Sequence, residues 1–312
     1  MISLITCVYN DKEYLKRCFD SIIKQTFSNF EVIVVNDGSS DDSQKVIDEY
    51  LKIDTRFRSI VQNHSGQAVA RNKGIEEAKG EYIVFVDSDD ELKERYLLAL
   101  SKAIDNNCDF GYSKILRVYD NQSSILERNY KYIDAYDSTI SNIYNNPEAI
   151  TRISNSPCAK IFRRKFLLDN NIMFYPGRLY EDMLFIVSIL LCNPSTIFID
   201  DDSYIYHVHN GSSMTGNGKR AYEIFDVFDA VVNFAKNRNC YDYYYKELEY
   251  LAIYHIAIGT MYRRFRYKPF SFFESLNKCK SYLKKYNFSI NNVYVKKMSI
   301  FERIYLKVFF SF

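Results

Sequence analysis

Asp87-Ser88-Asp89-Asp90 puts three carboxylates within four residues, at the end of the apolar run 81–86. Charges that close repel one another. A hard cation relieves the repulsion, and such ions bind through one or two carboxylates together with substrate phosphates. Helix capping by Asp89 or Asp90 is the plainer role and stays open. Asp37-Gly38-Ser39-Ser40 ends a similar run, 31–36, about fifty residues earlier. It reads either as an ordinary strand-turn-helix junction or as an acceptor aimed at a base or ribose. In Gly66–Gly74, Gly66 permits close approach at a helix start, and Arg71 and Lys73 suit phosphate unless they are merely solvated. Gly74 costs a helix interior about 1 kcal/mol against Ala, which points to close packing there. Glu181-Asp182 precedes an apolar helical run. Acids there cap a helix or, ionised at neutral pH, take a proton from a bound hydroxyl. His207 and His209 are two of only four histidines, and strand alternation puts both imidazoles on one face. With an acidic site nearby they become candidate metal or diphosphate ligands.

Elements of two kinds must position these groups. Residues 2–9, 31–36, 58–62 and 81–86 read as strands, because strands buried on both faces show continuous apolar runs. Helical spacing fills the intervals: Asp11 to about Lys24, a helix capped by Ser39, Ser40 or Asp41, one from Gly66 to near Gly80, and one through Tyr96–Ile104. Such alternation predicts a mostly parallel α/β sheet flanked by helices. In such sheets ligands bind beyond the carboxyl ends of the strands, where the acids fall. Later come a strand-like stretch at 110–118, a polar segment at 120–147, a helix from Tyr180, strands at 196–199 and 203–208, and helices after the loop 211–218. The expected division is 1–112, 113–220 and a helical extension 221–312.

The chain of 312 residues carries a net charge of only +2, which does not argue for nucleic acid. The basic residues gather in the tail: residues 263–312 hold twelve Lys and Arg against Glu274 and Glu302. Tyr294, Met298, Phe301, Tyr305, Val308 and Phe312 form one helical stripe there, with Lys296, Arg303 and Lys307 on another. That pattern fits either a helix lying at a membrane interface or one docked on the core. Seven scattered cysteines without C-x-x-C spacing fit a reducing cytoplasm, and no apolar run is long enough to span a bilayer.

In this order the motifs resemble family 2 of the glycosyltransferases, inverting enzymes of GT-A fold that use nucleotide-diphosphate sugars; the likeness covers roughly residues 1–215. Cys7-Val8-Tyr9-Asn10 resembles the opening P-V-Y-N, with Cys7 for the proline. Asn36-Asp37-Gly38-Ser39 resembles D-D-G-S, whose second acid contacts uracil. Ala70–Gly74 resembles A-R-N-x-G. Asp87-Ser88-Asp89 is similar to the D-x-D whose last acid holds Mg²⁺ or Mn²⁺. Lys160–Arg164 resembles K-L-Y-R. Glu181-Asp182 resembles the E-D pair whose Asp is the base. Tyr206–His209 with Gly211-Ser212 resembles the closing Y-R-x-H-x-x-S.

The resemblance implies that Val8, Tyr9, Asn10, Asp37, Arg71, Asp87, Ser88 and Lys160 bind a UDP-sugar. It assigns Asp89 with His209 or His207 to the metal, and Asp182 with Glu181 to catalysis. It implies transfer of a hexose or N-acetylhexosamine to a glycan or lipid-linked glycan of a bacterial surface. A homodimer stays open, and so does a peripheral place at the cytoplasmic face of the membrane. A sugar-nucleotidyltransferase shares this architecture, but it usually carries a Gly-rich loop where Val8-Tyr9-Asn10-Asp11 stands. An inactive binding module is expected to lack the E-D pair or the D-x-D, and both are present.

Overall fold

The first strand, β1 (Ile2–Val8), buries nearly every side chain, as a central parallel strand must. Its surroundings come from a computed structural model that describes residues 1–119, 141–209, 220–267 and 271–311. The chain forms two units. The first holds Met1–Asn145, Ser154–Gly177 and Cys192–Asn210; the second holds Asn146–Ile153, Arg178–Leu191 and Gly211–Phe312.

In the first unit, β1 leads to α1 (Lys12–Ile23), β2 (Phe30–Asn36), α2 (Ser43–Ile53), β3 (Phe57–Val61), α3 (Gln67–Glu77) and β4 (Tyr82–Phe85). Then come β5 (Glu91–Leu92), α4 (Tyr96–Asp105), β6 (Phe110–Tyr112), β7 (Ile115–Tyr119) and β8 (Ser141–Asn142). Next in the chain is α5 (Ala149–Arg152), which belongs to the second unit. The chain returns with β9 (Lys160–Arg163) and α6 (Arg164–Asp169), leaves for α7 (Glu181–Leu191), and returns with β10 (Ser195–Phe198) and β11 (Tyr204–Val208).

The main sheet runs β3-β2-β1-β4-β9-β6-β10-β8. Its first four strands are parallel, with Val8 opposite Asn36 and Asn36 opposite Val61. The mostly parallel sheet is therefore present, with β9 inserted antiparallel between β4 and β6. A small sheet, β5-β11-β7, lies apart from it. Apolar faces of the helices close the core: α1 contributes Leu15, Phe19 and Ile22, and α4 contributes Tyr96, Leu97 and Leu100. A Cβ on Gly74 would come 2.4 Å from Ile5 Cγ2, so the glycine lets α3 lie close against β1.

Several boundaries differ from expectation. The stretch 110–118 breaks at Ser113-Lys114, and its halves, β6 and β7, join different sheets. α2 starts at Ser43 with Asp42 in the cap position, while Asp41 Oδ1 accepts from the Ser43 amide at 2.9 Å. α3 ends at Glu77, short of Gly80. Most of the polar segment, and the loop 211–218, lie outside the described residues.

The second unit is helical. After α5 and α7 it contains the 3-10 turn Arg220–Tyr222, α8 (Glu223–Asn237), α9 (Tyr245–Ala252), a π-helical stretch Ile253–Thr260 and α10 (Met261–Tyr267). It ends with α11 (Phe272–Lys285), a 3-10 turn Val295–Lys297 and α12 (Ile300–Ser311). The expected aromatic stripe of the tail is split. α12 buries Leu306 and Phe309 and donates Tyr305 OH to Ala257 O at 2.8 Å, whereas Phe301 and Val308 face solvent. Tyr294 precedes the helix and bonds Glu247, and Phe312 is not among the described residues. The C-terminal helix is thus docked within its unit, and the docking face is not the stripe the spacing suggested.

Candidate active site

Parallel register brings the ends of β1, β2, β3 and β4 to one edge of the first unit. Asp37, directly after β2, is buried there and donates its amide to Val8 O at 2.9 Å. Its Oδ1 accepts from Gln62 Nε2 at 2.6 Å and from the Ser65 amide at 2.9 Å. Its Oδ2 accepts from the Gly66 amide at 2.8 Å and lies 2.9 Å from His64 Nδ1. Asp37 therefore pins the loop between β3 and α3. Gly38, at φ +72°, makes the fit possible: a Cβ there would lie 2.7 Å from the His64 backbone nitrogen. Asn36, in place of an acid, accepts from the Ser39 amide at 2.9 Å and stabilises the turn. Asn10 Oδ1 accepts from the Ser40 amide at 2.8 Å, joining the loops after β1 and β2. Tyr9 stacks on His64 with ring centroids 3.9 Å apart, and both rings are exposed. Val8 itself is buried in the core, so it offers the edge only backbone.

Arg71, on α3, is almost wholly buried over the Phe174 ring, and its Nη2 donates to Asp87 Oδ1 at 3.1 Å. Asn72 fixes that ring's backbone, donating to Phe174 O and accepting its amide, both at 2.8 Å. Lys73 instead lies on the outer face of α3, 2.8 Å from Glu77. Ser88 donates to Asp11 Oδ2 at 2.6 Å. Lys160, at the start of β9, is buried with Nζ 3.4 Å from Cys158 O.

The two histidines meet different acids. Asp89 Oδ2 lies 2.8 Å from His209 Nε2, although the residues are 120 positions apart. On the other side of that imidazole, Nδ1 is 3.3 Å from Tyr14 OH, and the two rings stack at 4.5 Å. His207 Nε2 lies 3.2 Å from Glu91 Oε2. Behind them Asp90 is buried; it accepts from Tyr204 OH at 2.5 Å and from the His207 amide at 3.1 Å. Burial, with the charge of Asp87 beside it, pushes the Asp89 carboxyl above its usual range against the pull of His209. Burial and the charges of Asp87 and Asp89 push Asp90 well above it.

In the second unit, Glu181 and Asp182 occupy the first turn of α7, where the helix dipole favours acids. The preceding Tyr180 adopts φ +71°, a strained conformation for a bulky side chain. Arg263 lies over the Tyr180 ring at 4.8 Å and bonds its hydroxyl, holding the turn.

Comparison with known proteins places this arrangement. The profile of Glycosyl transferase family 2 matches residues 3–169, more than half of the chain. The glycosyltransferase GlyG of Streptococcus pneumoniae serotype 4 is 32% identical over 69% of this chain and 73% of its own length. The chain belongs to glycosyl transferase family 2. EpsH of Bacillus subtilis is similar at 28% identity, over 82% of this transferase and 75% of its own length. S. aureus TarS in complex with UDP-GlcNAc shares the fold at 23% identity and a TM-score of 0.73, covering 90% of this chain and 81% of that one. The transferase accordingly has a GT-A fold. No helix among the described residues is long and apolar enough to cross a membrane.

The donors at the edge of the transferase suit a divalent cation. Asp89 is a crowded carboxylate, the oxygen ligand that Mg²⁺ and Mn²⁺ prefer, and the imidazole against it is a ligand more usual for a transition metal. Beside this pair, a trio of Asp87, Asp90 and Cys158 has ligand atoms within 4.8 Å of one another. It fits a cation less well. Burial holds the Cys158 thiol well above its usual range, hence protonated, and Asp90 is engaged by Tyr204 and the His207 amide. Spacing alone offers no sign that Tyr14 and Tyr204, which come from α1 and β11, reach His209 and Asp90. Gly211-Ser212 of the closing motif lies outside the described residues.

Proposed function

We propose that this transferase moves a hexose or N-acetylhexosamine from a UDP-sugar to a hydroxyl of a glycan acceptor of capsule, lipopolysaccharide or teichoic-acid type, inverting the anomeric centre. The observation that carries the reading is the approach of His209 to Asp89 at the strand edge. TarS, solved with UDP-GlcNAc and with UDP, supports uridine as the nucleotide. Tyr9 offers an exposed ring, and Asp37, Arg71, Asp87 and Ser88 line the same strand ends. Asp89 and His209 are the residues that would hold Mn²⁺ or Mg²⁺. Such a cation neutralises charge on the departing diphosphate.

Asp182, assisted by Glu181, takes the proton of the acceptor hydroxyl. The acceptor oxygen then bonds to the anomeric carbon as the bond to the diphosphate breaks on the opposite face. The diphosphate oxygen is a weak base, so the departure calls for no general acid. Incubation with a panel of labelled UDP-sugars and Mn²⁺ tests the reading. Slow hydrolysis of one donor is expected and identifies the sugar. Release of pyrophosphate from a nucleoside triphosphate and a sugar phosphate, with every UDP-sugar left intact, contradicts it.

A further inference from the structure

α12 has two apolar faces. One, with Leu306 and Phe309, is buried within the second unit. The other is open: Ile300 is 65% exposed, Phe301 85%, Ile304 56% and Val308 48%. On an ideal helix these four span about 100° of the circumference, opposite the docked face. Arg303 and Lys307 run along one edge of that exposed stripe, and both are exposed. Among the described residues neither meets a carboxylate within ion-pair distance. The one acid of α12, Glu302, is half-buried, lies off the exposed apolar stripe and turns back on the helix start: its Oε2 accepts the Ser299 amide at 2.9 Å and the Ser299 hydroxyl at 2.6 Å. The exposed side of α12 is therefore apolar and basic, with no acid on it.

We propose that this outer face of α12 binds an anionic lipid bilayer, with Phe301 and Ile304 entering the interface and Arg303 and Lys307 meeting lipid phosphates. An amphipathic helix of this kind lies in the membrane plane, held by apolar burial and by attraction to anionic headgroups. The charge pattern favours a bilayer over a second copy of the chain. Two such faces packed together would bring Arg303 and Lys307 against their own counterparts with no acid to offset them. The packing of Leu306 and Phe309 orients the face outward before any lipid is met, so binding needs no folding step. The proposal goes beyond the reaction above, and its test reads no turnover.

Sedimentation of the full chain with vesicles of phosphatidylcholine, with and without phosphatidylglycerol, tests it. Binding is expected only where phosphatidylglycerol is present, and added salt should weaken it. Replacing Arg303 and Lys307 by Gln should weaken binding about fivefold per residue, since a basic residue near an anionic surface contributes about 1 kcal/mol. Phe301→Ser with Ile304→Ser should weaken it by about tenfold or more. Both pairs are solvent-exposed, so thermal melts should stay at the wild-type midpoint. Failure of the wild type to sediment with anionic vesicles overturns the proposal. So does unchanged binding by the Phe301/Ile304 variant. A dimer in sedimentation equilibrium that the same variant dissociates would assign the face to a second copy instead.

Discussion

His209 is held on both sides, by Asp89 at 2.8 Å and by Tyr14 at 3.3 Å, whereas His207 faces Glu91. A second hydrogen-bond partner fixes the tautomer and orientation of a metal-binding imidazole. Tyr14→Phe keeps the stacked ring and loses the hydroxyl; it should weaken Mn²⁺ binding about tenfold. His209→Ala should weaken it further, and His207→Ala should do so least. Manganese titration by electron paramagnetic resonance measures all three without turnover. A larger loss from the His207 variant would reverse the assignment. For Asp182, the isosteric Asp182→Asn removes proton acceptance alone. Transfer should fall about 10²–10⁴-fold, the usual worth of a general base, with UDP affinity unchanged. Transfer within a few-fold of wild type would rule the base out.

At the scale of elements, the π-helical stretch carries a titration of its own. Burial there, with Arg263 contributing, lowers the His255 imidazole from its ordinary 6.5 to about 4. Between those values His255 binds fewer protons in the folded protein than in the unfolded chain, so this group's contribution to stability rises with pH across the interval. It is complete above about pH 6.5 and falls on acidification toward pH 4, by roughly 3 kcal/mol at most. Urea unfolding at pH 7 and pH 4.5 should show the loss, and His255→Gln should flatten that part of it; an identical slope in the variant would contradict the account. The same stretch marks where the sequence became hard to read. β1, β2 and β4 were legible because buried parallel strands are continuous apolar runs. A two-residue strand such as β5 has no periodicity to read. β9 is set by antiparallel pairing with β4 and β6, which leaves no local pattern, and the apolar run Ile253–Thr260 carries no mark that separates a π turn from an α-helix. The site divides in the same way. Asp37, Asp87 and Asp89 follow strands and stood out, while Tyr14 and Tyr204 are recruited through space. The histidine pair was visible, but the assignment of His209 to Asp89 and His207 to Glu91 depends on how β11 lies beside the acidic turn.

For the molecule as a whole, the division of labour follows the two units. The first, an acid-edged parallel sheet, supplies the groups assigned to nucleotide and metal; the second supplies Glu181, Asp182 and the basic helices. Charge follows the same division, since twelve of the 41 Lys and Arg fall in residues 263–312 and the remainder of the chain is net acidic. A divalent cation is expected to join UDP to the Asp89–His209 edge. Calorimetric titration of UDP into wild type and Asp89→Ala, each with Mn²⁺ and with a chelator, tests it most directly. The account predicts wild-type affinity that falls by about tenfold or more when metal is removed, and a variant whose weaker affinity ignores metal. Equal UDP affinity in all four titrations would contradict it.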